Sequence, residues 1–174
     1  MKKFVFKYGF IGGLIVSLFM CFTIPFMDAD TDMSGSMWMG YASMVVALST
    51  IFIGIRSYRN QELGGVISFG KAFLVGLYIA LIASTLYVIT WMILSEFFMP
   101  NFMTDYVEAT VSSMQAAGES QTAIDAKIAE MDQMAEMYKN PLFKTLITYT
   151  EILPVGILIS LISAAILKRS ADQN

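Results

Sequence analysis

The residue best placed for chemistry in this sequence is a carboxylate in apolar surroundings. In FKTLITYTEILPVGILISLISAAILKRS, residues 143–170, Glu151 is the only charge between Lys144 and Lys168, and Pro154 follows three residues later. At 1.5 Å per residue, Glu151 stands about 10 Å along a helix from Lys144. A carboxylate at the centre of a lipid-spanning helix costs roughly 2.5–3.5 kcal/mol on insertion scales, less nearer the interface. Two roles fit such a group. It is either a neutral carboxyl hydrogen-bonded inside a helix bundle, or a proton or cation site at a flexible kink. Pro154 cannot donate to the carbonyl of Thr150, so a kink is predicted there. Thr148 and Thr150 are expected to satisfy the backbone groups it frees. The side chain is expected to point into the bundle and to accept a hydrogen bond from Tyr87 or Thr90 of another span. On an unkinked helix, Glu151 would lie about 180° from Ser160 and about 140° from Gly156, so this expectation leans on Pro154.

The other chemistry-bearing patterns are weaker. The chain has no histidine, which removes the commonest general base and metal ligand. Its single cysteine, Cys21, excludes an internal disulfide and a cysteine-built metal site. GVISFGKA, residues 65–72, begins like a phosphate loop but has Ala72 where Ser or Thr must hold magnesium, and an apolar span follows it. Lys71 is read as an interface anchor. Arg56 and Arg59 are one helical turn apart around Tyr58; they suit membrane anchoring first and a lipid-phosphate or partner contact second. Of 14 methionines, several cluster at 27, 33, 37, 39, 44 and at 131, 134, 137. Thioethers select Cu(I), but without histidine or a suitably placed cysteine the cluster reads as packing. No catalytic residues, cofactor or metal are expected, and the net charge of −3 argues against nucleic acid.

What must position Glu151 is a set of membrane helices. The composition is 56% hydrophobic and 14% charged, against about 25% charged in soluble domains. Apolar windows at about 8–27, 33–55, 72–95 and 145–167 are each long enough to cross a bilayer. The first exceeds a signal-peptide core and lacks a small-residue cleavage site, so it is read as a span. Lys2, Lys3, Lys7, Arg56, Arg59, Lys71, Lys168 and Arg169 fall on one side, and only Lys127, Lys139 and Lys144 on the other. The positive-inside rule then puts both termini in the cytoplasm, and Asp28, Asp30 and Asp32 in an outer loop.

Residues 100–140 change solvent. Tyr106 or Val107, Val111 and Met114 share one helical face, and Ile124, Ile128, Met131, Ala135 and Tyr138 share another. Gly118 separates the two, Thr122 with Asp125 resembles a capping box, and Pro141 limits the second. The stretch is predicted to be an outer helical hairpin. Small residues mark one side of every span: Gly9, Gly13, Ser17, Cys21; Gly40, Ser43, Ala47, Thr50, Gly54; Gly76, Ala80, Ser84; Gly156, Ser160, Ala164. Such stripes let helices approach closely in lipid, and packing within one bundle explains all four together. The fold class is therefore all-α: a single integral domain over 1–174, a four-helix transmembrane bundle with a hairpin insertion between the third and fourth spans.

MVVALSTIFIGIRSYRNQELGGVISFGKAFLVGL (44–77), MPNF (99–102) and YKNPLFKTLITYTEILPVGILISLISAAIL (138–167) together resemble a bacterial membrane family called domain of unknown function 4199, found chiefly in Bacteroidota. The resemblance implies a four-span inner-membrane protein with an outer helical insertion. It implies no activity and supplies no catalytic residues. The leading functional expectation is a small non-enzymatic scaffold or regulatory subunit of a membrane complex in the lipid bilayer, meeting a membrane-protein partner or a second copy through the outer hairpin or small-residue helix faces. The alternative is an oligomeric transporter or ion or proton pathway through Glu151. An intramembrane enzyme ranks third, since no partner group accompanies the acid. Glu151, Pro154, Thr90, Tyr87, Arg56 and Arg59 are the candidate functional residues. A water-accessible cavity reaching Glu151 would favour transport, and a dry packed core would favour scaffolding.

Overall fold

The computed structural model describes residues 1–24 and 33–169. Its seven helices are α1 (Lys2–Thr23), α2 (Met33–Leu48), α3 (Thr50–Glu62), α4 (Phe69–Phe97), α5 (Phe102–Ala116), α6 (Gln121–Tyr138) and α7 (Pro141–Leu167). Four helical stretches are long and apolar enough to cross a membrane: Lys2–Thr23, Trp38–Glu62, Phe69–Phe97 and Pro141–Leu167. The chain is an all-helical, multi-pass membrane protein. The helices outrun the charge-free windows, beginning at Lys2 instead of 8 and continuing to Glu62 instead of 55. Lysine and arginine stems continue a helix into the interface while their heads reach water, so the charge-free length understates the helix. Residues 25–27 of the first window, and Asp28, Asp30 and Asp32, lie outside the described residues.

The second span is jointed. The Ser49 N–H is shared between the carbonyls of Val45 (3.0 Å) and Val46 (3.3 Å). Its hydroxyl donates to Val46 at 2.6 Å, and the Thr50 hydroxyl to Ala47 at 2.8 Å. Back-bonding hydroxyls on adjacent residues tighten the turn, which divides α2 from α3.

The small-residue stripes face inward, and α4 is the element most of them meet. A Cβ on Gly9 would stand 2.7 Å from Ile82, and one on Gly13 2.5 Å from a Leu86 methyl. A Cβ on Gly76 would meet Ser160 at 2.9 Å, and one on Gly156 would meet Ala80 at 2.8 Å. Gly9 and Gly13 are thus used inside the chain, against α4. Two members of the stripes depart from the expectation. Cys21 is exposed, and Gly40 has no neighbour among the described residues within 4 Å of where its Cβ would be. Outward, Phe6, Phe10, Leu14 and Leu18 of α1 and Leu158, Ile162 and Ile166 of α7 are exposed, as lipid-facing side chains are.

One end of the bundle is closed by polar contacts. Ile67 and Arg169 exchange backbone hydrogen bonds at 3.2 and 2.9 Å, and Arg59 Nη1 donates to the Leu167 carbonyl at 3.0 Å. Phe4 of α1 packs on Tyr58 there, ring centroids 5.7 Å apart. At the other end, α5 and α6 contact each other across a turn in which Gly118 has φ +74°. The cap of α6 is Ser120, which accepts from the Ala123 N–H, so the expected Thr122 box is displaced by two residues. Asn140 caps α7, with Pro141 in its first turn, so this proline opens a helix as much as it ends one.

Gly156→Ala is expected to lower stability by about 1–3 kcal/mol, because the Ala80 methyl opposite is attached to backbone and cannot swing aside. Ser84 is fully buried and its hydroxyl has no partner among the described residues, so Ser84→Ala is expected to be neutral or to stabilise by about 1 kcal/mol. Thermal unfolding of both variants in detergent, followed by circular dichroism, checks the pair.

Candidate functional site

The α4–α7 contact carries the site. Reading away from the polar-closed end, Gly76 faces Ser160 and Ala80 faces Gly156. On α7 the row Ser160, Gly156, Ile152, Thr148 is buried throughout. A row spaced by four residues winds around an α-helix by about 40° per step, so the contact face has turned by about 120° on reaching Thr148. Glu151 is about 60° from Thr148 around the axis. It therefore flanks the contact face instead of opposing it, and no kink is required. α7 continues as a helix through Pro154, which is exposed. Thr148 and Thr150 do not serve the freed carbonyl at Thr150. Their hydroxyls donate to Lys144 (2.7 Å) and Ile147 (2.6 Å).

Across from Glu151 stands Tyr87 of α4, whose hydroxyl donates to Glu151 Oε2 at 3.3 Å. Thr90, the other expected donor, is engaged elsewhere: its hydroxyl donates to the Leu86 carbonyl and shares a hydrogen bond with the Ser17 hydroxyl of α1, both at 2.8 Å. Arg56 is exposed, and Arg59 is spent on the end of α7, at the opposite end of the bundle from Glu151. Of the six candidates, only Glu151 and Tyr87 meet.

Nor does Glu151 point into a packed core. It is exposed on the wall of a cleft of about 380 Å³. The lining comes from five helices: Gly40, Tyr41 and Met44 of α2, Tyr87 and Trp91 of α4, Phe102, Met103 and Tyr106 of α5, Met134 and Tyr138 of α6, and Ile147 and Glu151 of α7. The absent side chain at Gly40 is part of what leaves the space open.

An aromatic cluster frames the cleft on the α5–α6 side. Trp91 Nε1 donates to the Tyr138 hydroxyl at 2.6 Å. The Trp91 ring meets Phe102 edge-on at 5.0 Å, and Phe102 stands 6.0 Å from Tyr138 and 6.1 Å from Tyr106. Lys144 places its ammonium 5.1 Å from the Tyr138 ring centre and donates to the Ser95 hydroxyl at 3.5 Å. Burial pushes the Tyr138 phenol above the ordinary tyrosine range, so it stays a neutral acceptor for Trp91.

Sequence reasoning missed Tyr41, Trp91 and Phe102, and placed Tyr106 and Tyr138 only on amphipathic stripes. The available signal was the excess of aromatics near the helix ends on the α5–α6 side, which membrane interfaces also produce. Chemically, the cleft offers a carboxylate, a phenol bonded to it and polarisable apolar walls. No group of three or more histidine, cysteine or acidic residues that could hold a metal occurs among the described residues.

A family model described as a protein of unknown function, DUF4199, matches residues 7–169. The chain belongs to this family. No curated protein and no solved structure matches it. The DUF4199 description assigns no activity, and the match covers every helix that lines the cleft.

Glu151→Gln keeps an acceptor for Tyr87 and is expected to leave stability within about 0.5 kcal/mol of the parent. Glu151→Leu strands the Tyr87 hydroxyl and is expected to cost about 1–3 kcal/mol. Unfolding curves for the two variants in one detergent separate a hydrogen-bonding role from mere space filling.

Proposed function

We propose that this chain is a non-enzymatic, multi-pass protein of the bacterial inner membrane that binds a small ligand at the Glu151 cleft, either to pass it on or to respond to it. One observation carries the reading: the lone carboxylate of the fourth long apolar helix opens onto a cleft of about 380 Å³ instead of being packed away. Sites for small ligands are concave, mostly apolar and furnished with a few convergent polar groups, and volumes begin at about 300 Å³. Intramembrane carboxylates that face cavities mark ion or substrate paths. Catalysis is not part of the proposal, because no histidine is available and the described residues offer Glu151 only a phenol as partner. No cofactor or nucleic acid is invoked.

In this proposal both termini are cytoplasmic, α5 and α6 form an extramembrane hairpin on the outer side, and the cleft opens outward. The distribution of lysine and arginine supports that orientation. Passage across the membrane would require a second copy, since four spans enclose little of a pathway on their own. The scaffold reading keeps one supporting observation. No residue of α5 is buried, so Tyr106, Val111 and Met114 are only half-covered and leave a seat for a partner.

The test uses thiol accessibility in a Cys21→Ser background. Met103→Cys and Ile147→Cys are expected to react with a membrane-impermeant sulfonated maleimide on intact spheroplasts. If Met103→Cys reacts but Ile147→Cys does not, the cleft is closed to water and the ligand reading fails. Reaction in inverted vesicles only would reverse the orientation.

A further inference from the structure

We infer that the Glu151 cleft takes an organic cation: an ammonium group carrying an apolar body. The inference rests on the reading of the cleft as a ligand pocket and assigns that pocket a chemical class.

Charge excludes the simplest alternatives. An anion would face the Glu151 carboxylate, and the cleft offers it no backbone N–H cluster or arginine. Lys144, seven residues away on the same helix, is turned to Tyr138 and Ser95. A hard divalent ion needs about six oxygen ligands, and the lining supplies one carboxylate and the phenols of tyrosines. A neutral apolar ligand would strip water from Glu151 and return nothing for it.

An organic cation meets both halves of the lining. Glu151 Oε2 accepts from Tyr87 in a long bond of 3.3 Å, while Oε1 has no protein hydrogen bond among the described residues. One carboxylate oxygen is thus free to meet a positive charge. The rings of Tyr41, Tyr87, Trp91, Tyr106 and Tyr138 line the same cleft. Aromatic faces attract cations through their quadrupole, and groups of them recognise quaternary ammonium ligands. The protein already shows this chemistry in the cluster, where the Lys144 ammonium lies 5.1 Å from the centre of the Tyr138 ring. Thioethers at Met44, Met103 and Met134 provide adaptable surface for the apolar body. The volume of about 380 Å³ suits one small ligand. The ammonium could arrive on a free lipophilic amine or as the headgroup of a membrane lipid; the cleft chemistry is the same.

The full chain with Trp38→Phe, an exposed position, leaves Trp91 as the only tryptophan and reporter. In nanodiscs of phosphatidylglycerol alone, which lack ammonium headgroups, it is titrated with phenyltrimethylammonium and with tert-butylbenzene, its uncharged carbon isostere. The cation is expected to change Trp91 fluorescence saturably, with the isostere at least about tenfold weaker. Glu151→Gln is expected to weaken the cation by about tenfold, and Tyr41→Ala, at an exposed ring, by several-fold, with helicity and Tm retained. Adding phosphatidylethanolamine separates the sources. Competition against the cation makes the ligand a lipid headgroup, and unchanged affinity makes it a free amine. Equal binding of cation and isostere, insensitive to Glu151→Gln, overturns the cation class but leaves the pocket standing. If neither compound nor tetramethylammonium perturbs Trp91 while Ile147→Cys is still labelled from water, the pocket is open and the inference is wrong.

Discussion

The structure depends on how closely α4 and α7 approach at Gly76 with Ser160 and at Gly156 with Ala80. In each pair one partner lacks a Cβ, and an added methyl would stand less than 3 Å from the neighbour. Lipid provides no hydrophobic drive to pull helices together, because its tails are as apolar as leucine. Contact therefore has to come from dense packing, which needs smooth, small surfaces. Gly9 and Gly13 of α1 do the same against the flank of α4 at Ile82 and Leu86. α4 is held from two sides, and its C-terminal half, with Tyr87 and Trp91, is presented at a fixed angle.

That close contact also creates the opening. A row of small residues spaced by four drifts around its helix, so two helices sharing such a row stay matched for only a few turns. Level with Ile152 and Thr148, the small row Gly76, Ala80 and Ser84 on α4 gives way to the large side chains Tyr87 and Trp91. With Gly40 on α2 contributing no side chain, the wall there is left thin. The α5–α6 pair is tied over this region by Trp91, Phe102 and Tyr138, whose contacts are aromatic and hydrogen-bonded. The cleft is thus what remains when tight packing at one end gives way to bulky, amphipathic side chains at the other. Its floor is polar because Glu151 flanks the last turn of the contact.

The spans were legible because each is a long apolar run, with Glu151 in the fourth as the one charge among them, and crossing the bilayer core takes about 20 such residues. Their ends were less so, since Lys2 and Arg59 are helical and still reach polar surroundings. The small stripes were legible as packing faces, though Cys21 and Gly40 fit the spacing without packing. Spacing says which residues share a face, not where along the helix the neighbour departs. Glu151 was visible as an anomaly, and Tyr87 as its donor. The direction of the carboxylate was harder, because angles measured from Ser160 assume that the contact face runs parallel to the axis. The rest of the lining was not legible. Tyr41, Trp91, Phe102, Tyr106 and Tyr138 come from four helices and belong to no common period, so only the folded chain brings them together.

Glu151 is the place where local and global preferences disagree. Much of α7 agrees with burial in lipid and against α4: an Asn140 cap, a Pro141 start, small residues inward and leucine or isoleucine outward. A glutamine at 151 would accept the same hydrogen bond from Tyr87 without the cost of a charge in the membrane. Packing alone therefore gives no reason for a carboxyl here, and neither does the Tyr87 bond. Conflicts of this kind between a residue and its surroundings concentrate at functional sites. What the carboxyl offers beyond glutamine is a proton to exchange or a negative charge to present, and it offers them to the cleft, where one oxygen lacks a protein partner among the described residues.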